Sequence, residues 1–114
     1  MHVHHIAFRT RDLRRLTEFY LRVLELHPVG ERPGEAVWLS LGEAVLMLES
    51  ATEAEPGVPP GAMDMVAFAV DDTEREAVRQ RLASAGVAIE AETPWTTYFR
   101  DPDGRRVGVS TYPL

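Results

Sequence analysis

The sequence predicts an α+β fold built from a tandem repeat, and two observations carry that prediction. An alternating apolar run at residues 5–8 recurs sixty residues later, at residues 65–68. Each run leads to an aspartate, Asp12 or Asp72, that opens a segment with helical spacing. Repeated strand-helix units followed by further strands predict mixed sheets with the helices on one side, which leaves the opposite side free for a site.

Length and composition indicate one globular protein. The chain has 114 residues, 45% of them apolar, which suits one domain or two half-domains that share a core. No apolar run approaches the roughly 20 residues that cross a bilayer, and no signal-peptide pattern is present, so we expect a soluble cytoplasmic protein. The absence of cysteine excludes disulfides and thiol nucleophiles, and the net charge of −6 disfavours nucleic acid as a partner.

The first half is predicted to begin with a strand and a helix. Residues 2–9 alternate, which places His5 on the face opposite its large apolar neighbours. Asp12 is the predicted N-cap of a helix whose apolar residues recur at helical spacing. The helix should end at residues 25–27, because Pro28 disfavours helical geometry in the residue before it.

A hairpin is expected to complete this half. Residues 29–33 leave the helix as a short strand or loop, and residues 35–41 and 44–49 form the hairpin strands. Gly42 and Glu43 between them suit a type II′ turn, which places glycine at its first central position.

A proline- and glycine-rich segment divides the chain. Residues 51–62 hold three of the eight prolines and two of the eight glycines. This composition predicts a linker between a first module of about residues 1–50 and a second of about residues 63–114, within a single domain spanning residues 1–114.

The second half repeats the pattern. A strand over residues 64–70 precedes Asp72 and a capping box formed by Thr73 and Glu76, and Gly86 is expected to end the helix in a left-handed conformation. Three further strands are predicted, at residues 87–92, 95–100 and 105–112. The last two are joined by the Asp-Pro-Asp-Gly turn of residues 101–104.

Three motifs carry a resemblance to a known family. They are the His-Ile-Ala-Phe strand at residues 5–8, the Asp-Leu-x-x-x-x-x-Phe-Tyr segment at residues 12–20, and Tyr-Phe-Arg-Asp-Pro-Asp-Gly at residues 98–104. In register with the internal repeat, they resemble the vicinal oxygen chelate superfamily, which contains glyoxalase I, bleomycin-resistance proteins, fosfomycin-modifying transferases and extradiol dioxygenases. The resemblance covers essentially the whole chain. It implies two βαβββ modules, a curled mixed sheet around a small-molecule cavity with the helices on the outer face, and a homodimer.

The resemblance also implies four metal-ligand positions, which fall on His5, Glu49, Met65 and Gly108. Imidazole and carboxylate suit a divalent ion such as Ni, Zn, Mn or Fe. Met65 offers only a thioether and Gly108 has no side chain, so the site is incomplete, since catalytic metal sites normally fix three protein ligands. Strand alternation places His4 on the face opposite His5, where it would not complete the site.

The remaining candidates are cavity-lining side chains. Glu49, if it faces the cavity, is a candidate general base or a partner for a cationic group. Aromatic residues on short antiparallel strands suit a flat or aromatic ligand. The ligand-binding candidates are His5, Trp38, Met47, Glu49, Met65, Trp95, Tyr98, Phe99 and either Arg9 or Arg106. The hairpin register decides whether Tyr98 or Phe99 faces inward, and the sequence leaves that open. The arginines beside the last turn are expected to face solvent, although one could anchor an anion: Arg100, Arg105 and Arg106.

Two classes of function follow from these residues. The first is a small-molecule binding protein without a cofactor, resembling the bleomycin-resistance branch, and the acidic charge favours a cationic guest. The alternative is a divalent-metal-dependent lyase, isomerase or dioxygenase acting on a substrate with vicinal oxygens. A structural dimer with no ligand is a third possibility. We favour the first class, with a small molecule rather than nucleic acid or membrane as the partner, and the sequence leaves open whether the protein is an enzyme.

Overall fold

A computed structural model describes residues 1–114, which form two compact units, Met1–Gly57 and Val58–Leu114. The boundary between the units lies inside the segment 51–62. Each unit contains a four-stranded mixed sheet and one helix in the order βαβββ, which confirms the predicted α+β class and its tandem repeat. Neither helix has both the length and the apolar character needed to cross a membrane.

The first unit has a parallel strand pair at one side of its sheet. Its elements are β1 (His5–Thr10), α1 (Leu13–Leu24), β2 (Pro28–Arg32), β3 (Ala36–Leu41) and β4 (Ala44–Ser50). The strand order is β1-β4-β3-β2, in which β1 is parallel to β4 and the other neighbours are antiparallel. The helix therefore forms the crossover that a parallel pair requires.

The second unit repeats this arrangement. Its elements are β5 (Met65–Ala69), α2 (Asp72–Ser84), β6 (Ile89–Glu92), β7 (Thr96–Arg100) and β8 (Arg106–Ser110). The strand order is β5-β8-β7-β6, with β5 parallel to β8.

Each helix covers one face of its own sheet. In the first unit the rings of Phe8 on β1 and Tyr20 on α1 lie 5.9 Å apart, and Leu46 and Leu48 of β4 are fully buried. In the second unit α2 contributes only two buried apolar side chains, Val78 and Leu82. The opposite face of each sheet is left uncovered by its helix, so the alternate residues on that face are available for a site.

The helix ends follow the chemistry of their caps, with two corrections to the predictions. Helix α1 ends at Leu24, one residue before the predicted end at residues 25–27, and Glu25 adopts the left-handed conformation, with φ of 51°. The N-cap of α2 is Asp71, which accepts a hydrogen bond from the Glu74 amide at 2.7 Å, rather than Thr73. Asp71 and Glu74 have the same three-residue spacing as a capping box, and this pair lies two residues before the predicted one.

Other local predictions are confirmed. Asp12 caps α1 by accepting from the Arg15 amide at 3.1 Å. Gly42 has φ of 76° while Glu43 has no positive φ, as a type II′ turn requires. Gly86 also has a positive φ, and the amides of residues 86 and 87 donate to the carbonyls of residues 83 and 82, which is the Schellman pattern.

Candidate functional site

On the face of the first sheet that α1 does not cover, alternate residues of the adjacent strands β1, β4 and β3 lie side by side. Strand β1 pairs with β4 so that Ala7 lies opposite Met47 and Arg9 opposite Glu49. Strand β3 pairs with β4 so that Trp38 lies opposite Met47. Since side chains alternate along each strand, these residues share one face, away from α1.

A pocket of about 370 Å³ lies on this face. It is lined by Arg9, Arg32, Glu35, Ala36, Trp38, Met47, Glu49 and Ser50. Four of these residues were candidates from the sequence: Arg9, Trp38, Met47 and Glu49. The other four, Arg32, Glu35, Ala36 and Ser50, are not marked by any local motif, because the pairing of β2, β3 and β4 brings them to the pocket.

The indole of Trp38 forms a wall of the pocket, and close packing against Gly30 fixes its position. Gly30 on β2 pairs with Trp38, and a Cβ atom on Gly30 would lie 2.4 Å from the indole Cε3. The indole therefore rests directly on the glycine backbone. Its Nε1 donor is buried and has no acceptor in the chain, so packing rather than hydrogen bonding sets the ring position.

The charges beside the pocket form an ordered network. Arg9 donates to both carboxylate oxygens of Glu55, at 2.9 and 2.8 Å, and lies 3.7 Å from the Glu49 carboxylate. Glu55 also accepts from the Thr52 amide at 2.7 Å. The hydrogen bond from the Arg9 guanidinium, followed by that from Thr52, lowers the pKa of Glu55 to about 2. Glu55 therefore remains ionised at neutral pH.

His5 lies outside this pocket, beside His4. The Nδ1 atoms of His4 and His5 are 2.9 Å apart, and both side chains are exposed. Strand β1 begins at His5, so strand alternation does not govern His4, and the expectation that His4 points to the opposite face is corrected.

In the second sheet, Met65 and Gly108 share one space on the uncovered face. A Cβ atom on Gly108 would lie 3.0 Å from the Met65 methyl and 3.3 Å from the Thr97 carbonyl oxygen. The Met65 methyl therefore occupies the space into which a side chain at position 108 would extend. A larger residue at that position would have to displace Met65.

The register of the last hairpin places the aromatic candidates. Tyr98 pairs with Gly108 and lies on the uncovered face, where the Arg106 guanidinium sits 4.2 Å from the ring centroid. Phe99 is fully buried on the opposite face, so it is a core residue and not a ligand-contacting one. Trp95 precedes β7 and is 44% exposed, with its ring 5.1 Å from that of Tyr112.

The three arginines near the last turn are mostly shielded from solvent and take part in ion pairs, contrary to the expectation that they face solvent. Arg100 donates to Glu90 at 2.7 and 2.8 Å, and Arg105 donates to the buried Asp101 at 2.6 Å. The bond from Arg100 lowers the pKa of Glu90. Arg106 also lies beside Glu90, at 3.6 Å. The guanidinium groups of Arg100 and Arg105 therefore stabilise the fold of the second unit.

Comparison with known proteins identifies the family. The model of the Glyoxalase/Bleomycin resistance protein/Dioxygenase superfamily matches residues 2–109. The chain belongs to this superfamily. It is 31% identical over 110 residues to the glutathione transferase FosA of Serratia marcescens, a match that covers 92% of this chain and 77% of FosA.

Solved structures of the superfamily share the fold. The lactoylglutathione lyase of Agrobacterium tumefaciens is 25% identical, with a TM-score of 0.71 over 96% of this chain and 92% of the lyase. The fosfomycin resistance protein FosX of Listeria monocytogenes is 15% identical, with a TM-score of 0.81 over 100% of this chain and 92% of FosX. A variant of that FosX was crystallised with Mn(II) and 1S,2S-dihydroxypropylphosphonic acid.

His5 and Glu49, the two candidate metal ligands of the first unit, lie far apart along its sheet. His5 pairs with Val45, whereas Glu49 pairs with Arg9, four residues further along the strands. Four residues of strand correspond to about 13 Å, too far for two ligands of one ion. No group of three or more histidine, aspartate or glutamate side chains is placed to hold a metal.

The internal repeat shows which residue of the first unit corresponds in register to Gly108 of the second. In the second sheet, Gly108 lies two residues beyond the partner of Met65. In the first sheet, Met47 lies two residues beyond the partner of His5. Met47 therefore occupies the place in the first unit that Gly108 occupies in the second, whereas the assignment of a metal position to Glu49 rests on the resemblance and stays a prediction. Met47 and Met65 offer thioethers and Gly108 has no side chain, so these three residues do not suit a hard or borderline divalent ion.

Proposed function

We propose that this superfamily member binds a small organic molecule in the pocket of its first unit, without a tightly held catalytic metal. The observation that carries the proposal is the lining of a single pocket of about 370 Å³ by Trp38, Met47 and Glu49. Small-molecule sites of this size combine apolar walls with a few polar groups that orient the guest. We further propose that the chain acts as a homodimer, as the resemblance to the superfamily implies.

The composition of the pocket supports an aromatic or otherwise flat guest. The indole of Trp38 offers a rigid face, and Met47 beside it offers a polarisable thioether. The carboxylate of Glu49 adds one charged acceptor, and Arg9 lies next to it. These groups suit binding and orientation of a guest, and Glu49 is the only one of them proposed as a general base should the protein prove to be an enzyme.

Two measurements test the proposal. The first is elemental analysis of untagged protein purified without chelator and then incubated with Ni, Zn, Mn or Fe. We expect metal far below one ion per chain. The second is tryptophan fluorescence during titration with a panel of aromatic compounds, in which Trp95→Phe should keep the response and Trp38→Phe should lose it. Near-stoichiometric metal, or no response from any compound in the panel, would contradict the proposal.

The second candidate function is a divalent-metal-dependent lyase, isomerase or dioxygenase. The relatives favour it, because FosA is a glutathione transferase and a FosX variant was crystallised with Mn(II). The chain also retains His5 at one metal position. If metal binds and is lost in His5→Ala, a donor beyond those identified here must complete the site, and substrates with vicinal oxygens become the ones to assay.

A further inference from the structure

We infer that Glu55 sets the charge preference of the pocket: by holding the Arg9 guanidinium, it leaves the Glu49 carboxylate to bind an organic cation. This inference rests on the proposed function and names the class of ligand. It also gives a role to the segment after β4, which has no counterpart among the motifs of the sequence.

The geometry around Arg9 shows which carboxylate holds it. Both contacts with Glu55 are hydrogen bonds, from Nε at 2.9 Å and from the terminal nitrogen at 2.8 Å, in the fork arrangement that suits arginine and carboxylate. The contact with Glu49 is 3.7 Å, longer than a hydrogen bond. Arg9 is therefore hydrogen-bonded to Glu55 and makes only a longer ion pair with Glu49.

Glu55 is itself held in place by its own segment. Its carboxylate accepts from the Thr52 amide, and its amide donates to the Thr52 carbonyl at 3.2 Å. Arg11 reaches the same segment and donates to the backbone carbonyls of Glu53 and Glu55. The carboxylate that receives Arg9 is thus positioned before any guest arrives.

The charges that remain in the pocket favour a cation. Arg9 is neutralised by Glu55, and Arg32 and Glu35 on the rim contribute one charge of each sign. The carboxylate of Glu49 keeps only the longer ion pair with Arg9, at 3.7 Å, and 27% of its side chain is exposed. A cation beside it would gain an ion pair in partly desolvated surroundings.

The walls near Glu49 define the shape of that cation. Ala36 pairs directly with Glu49 and has only a methyl group, which leaves room beside the carboxylate. Trp38 and Met47 form the next pair on the same face of these strands and provide a flat apolar wall. A planar cation with N–H donors, such as an aryl amidinium, would stack on the indole and donate to Glu49.

Three compounds of nearly equal shape test this inference: benzamidinium, benzamide and benzoate, which are cationic, neutral and anionic at pH 7. Each is titrated by protein-observed NMR or calorimetry. We expect the wild type to prefer benzamidinium over benzamide by about fivefold, the scale of a partly exposed ion pair, and to bind benzoate most weakly. Glu49→Gln should abolish the preference.

The variants at Arg9 and Glu55 distinguish a positioning role from a merely structural one. Glu55→Gln should release Arg9 toward Glu49 and remove most of the preference for benzamidinium, while benzamide binding stays within about twofold of wild type. The double variant Arg9→Met with Glu55→Gln should restore the preference, because Glu49 is then unopposed. Glu43→Gln, which removes the same charge from the distant β3–β4 turn, is the matched control and should behave as wild type.

Binding to the wild type tests the proposed function, and the charge preference of the wild type and of Glu55→Gln tests the role of Glu55. If none of the three compounds binds the wild type, both are overturned for aromatic guests of this size. If the compounds bind with no charge preference, or if Glu55→Gln keeps the preference, the inference fails and the proposed function stands. Should Glu55→Gln fail to fold by circular dichroism, Arg9→Met alone decides: it should bind benzamidinium at least as tightly as wild type, and weaker binding would overturn the inference.

Discussion

At the residue scale, Gly30 is required because Trp38 occupies the space in which a side chain would lie. A Cβ atom there would be 2.4 Å and 3.0 Å from two indole carbons, and Gly30 does not have a positive φ, so the requirement is for space alone. We predict that Gly30→Ala lowers the free energy of unfolding by about 1–3 kcal/mol and weakens any ligand that stacks on Trp38. Urea denaturation and fluorescence titration measure the two effects.

Gly57→Ala is the matched control for this prediction. A Cβ atom on Gly57 would be 3.7 Å from the nearest atom, on Arg11, and the residue has no positive φ. Its effect on stability should be small or slightly favourable, because alanine restricts the unfolded chain. Equal stabilities for the two variants would mean that the indole moves aside without cost.

At the element scale, α2 depends on Arg75 because the helix buries only two apolar side chains. The Arg75 guanidinium donates to the Thr97 hydroxyl at 3.0 Å and to the carbonyls of Pro94 and Thr93 at 2.7 and 2.9 Å, with 13% of its side chain exposed. We predict that Arg75→Ala lowers the free energy of unfolding by about 3 kcal/mol, since several partly buried acceptors lose a charged donor.

Two further variants calibrate the Arg75 prediction. Arg75→Lys should recover only part of the loss, because one ammonium group cannot span the acceptors that the guanidinium reaches. Arg79→Ala removes an ion pair with Glu92 from the same helix, but its side chain is 42% exposed, so the loss should stay below about 1 kcal/mol. If Arg79→Ala proved as damaging as Arg75→Ala in urea denaturation, helix propensity rather than the network would be the cause.

The segment after β4 gives a pH-dependent prediction at the same scale. The Arg9 guanidinium lowers the pKa of Glu55 from 4.5 to about 2 in the folded chain. A lowered folded-state pKa means that the contribution to stability is complete above pH 4.5 and is lost as the pH falls toward 2. The stability difference between wild type and Glu55→Gln should therefore be largest at pH 6 and should shrink between pH 4.5 and pH 2. A constant difference across that range would show that Glu55 gains no stabilisation from Arg9.

At the scale of the whole molecule, the proposed homodimer makes a prediction about mass. Each sheet has one face that its own helix does not cover, and large apolar side chains such as Trp95 and Tyr112 are about half exposed. Association of two chains would remove such surface from water. Light scattering coupled to size exclusion should give twice the mass of one chain at micromolar concentration. The mass of a single chain under those conditions would refute the dimer.

The sequence by itself determined the features that depend on neighbouring residues. The repeated strand-helix pattern, the cap formed by Asp12, the turn at Gly42 and the helix end at Gly86 all follow from local chemistry, and the structure confirms each. The motifs also sufficed to identify the superfamily. The sequence does not distinguish Asp71 from Thr73 as the N-cap of α2, because each is followed three residues later by a glutamate, as in a capping box.

Only the tertiary structure decided how the candidate site is assembled. Strand register separated Tyr98 from Phe99 and placed Met47, rather than Glu49, two residues beyond the partner of His5, and neither register can be read from the local pattern. The bond between Arg9 and Glu55 joins residues 46 positions apart. Such contacts depend on how distant segments pack and on which charged groups the packing brings within hydrogen-bond distance. The local sequence around each residue contains neither kind of information.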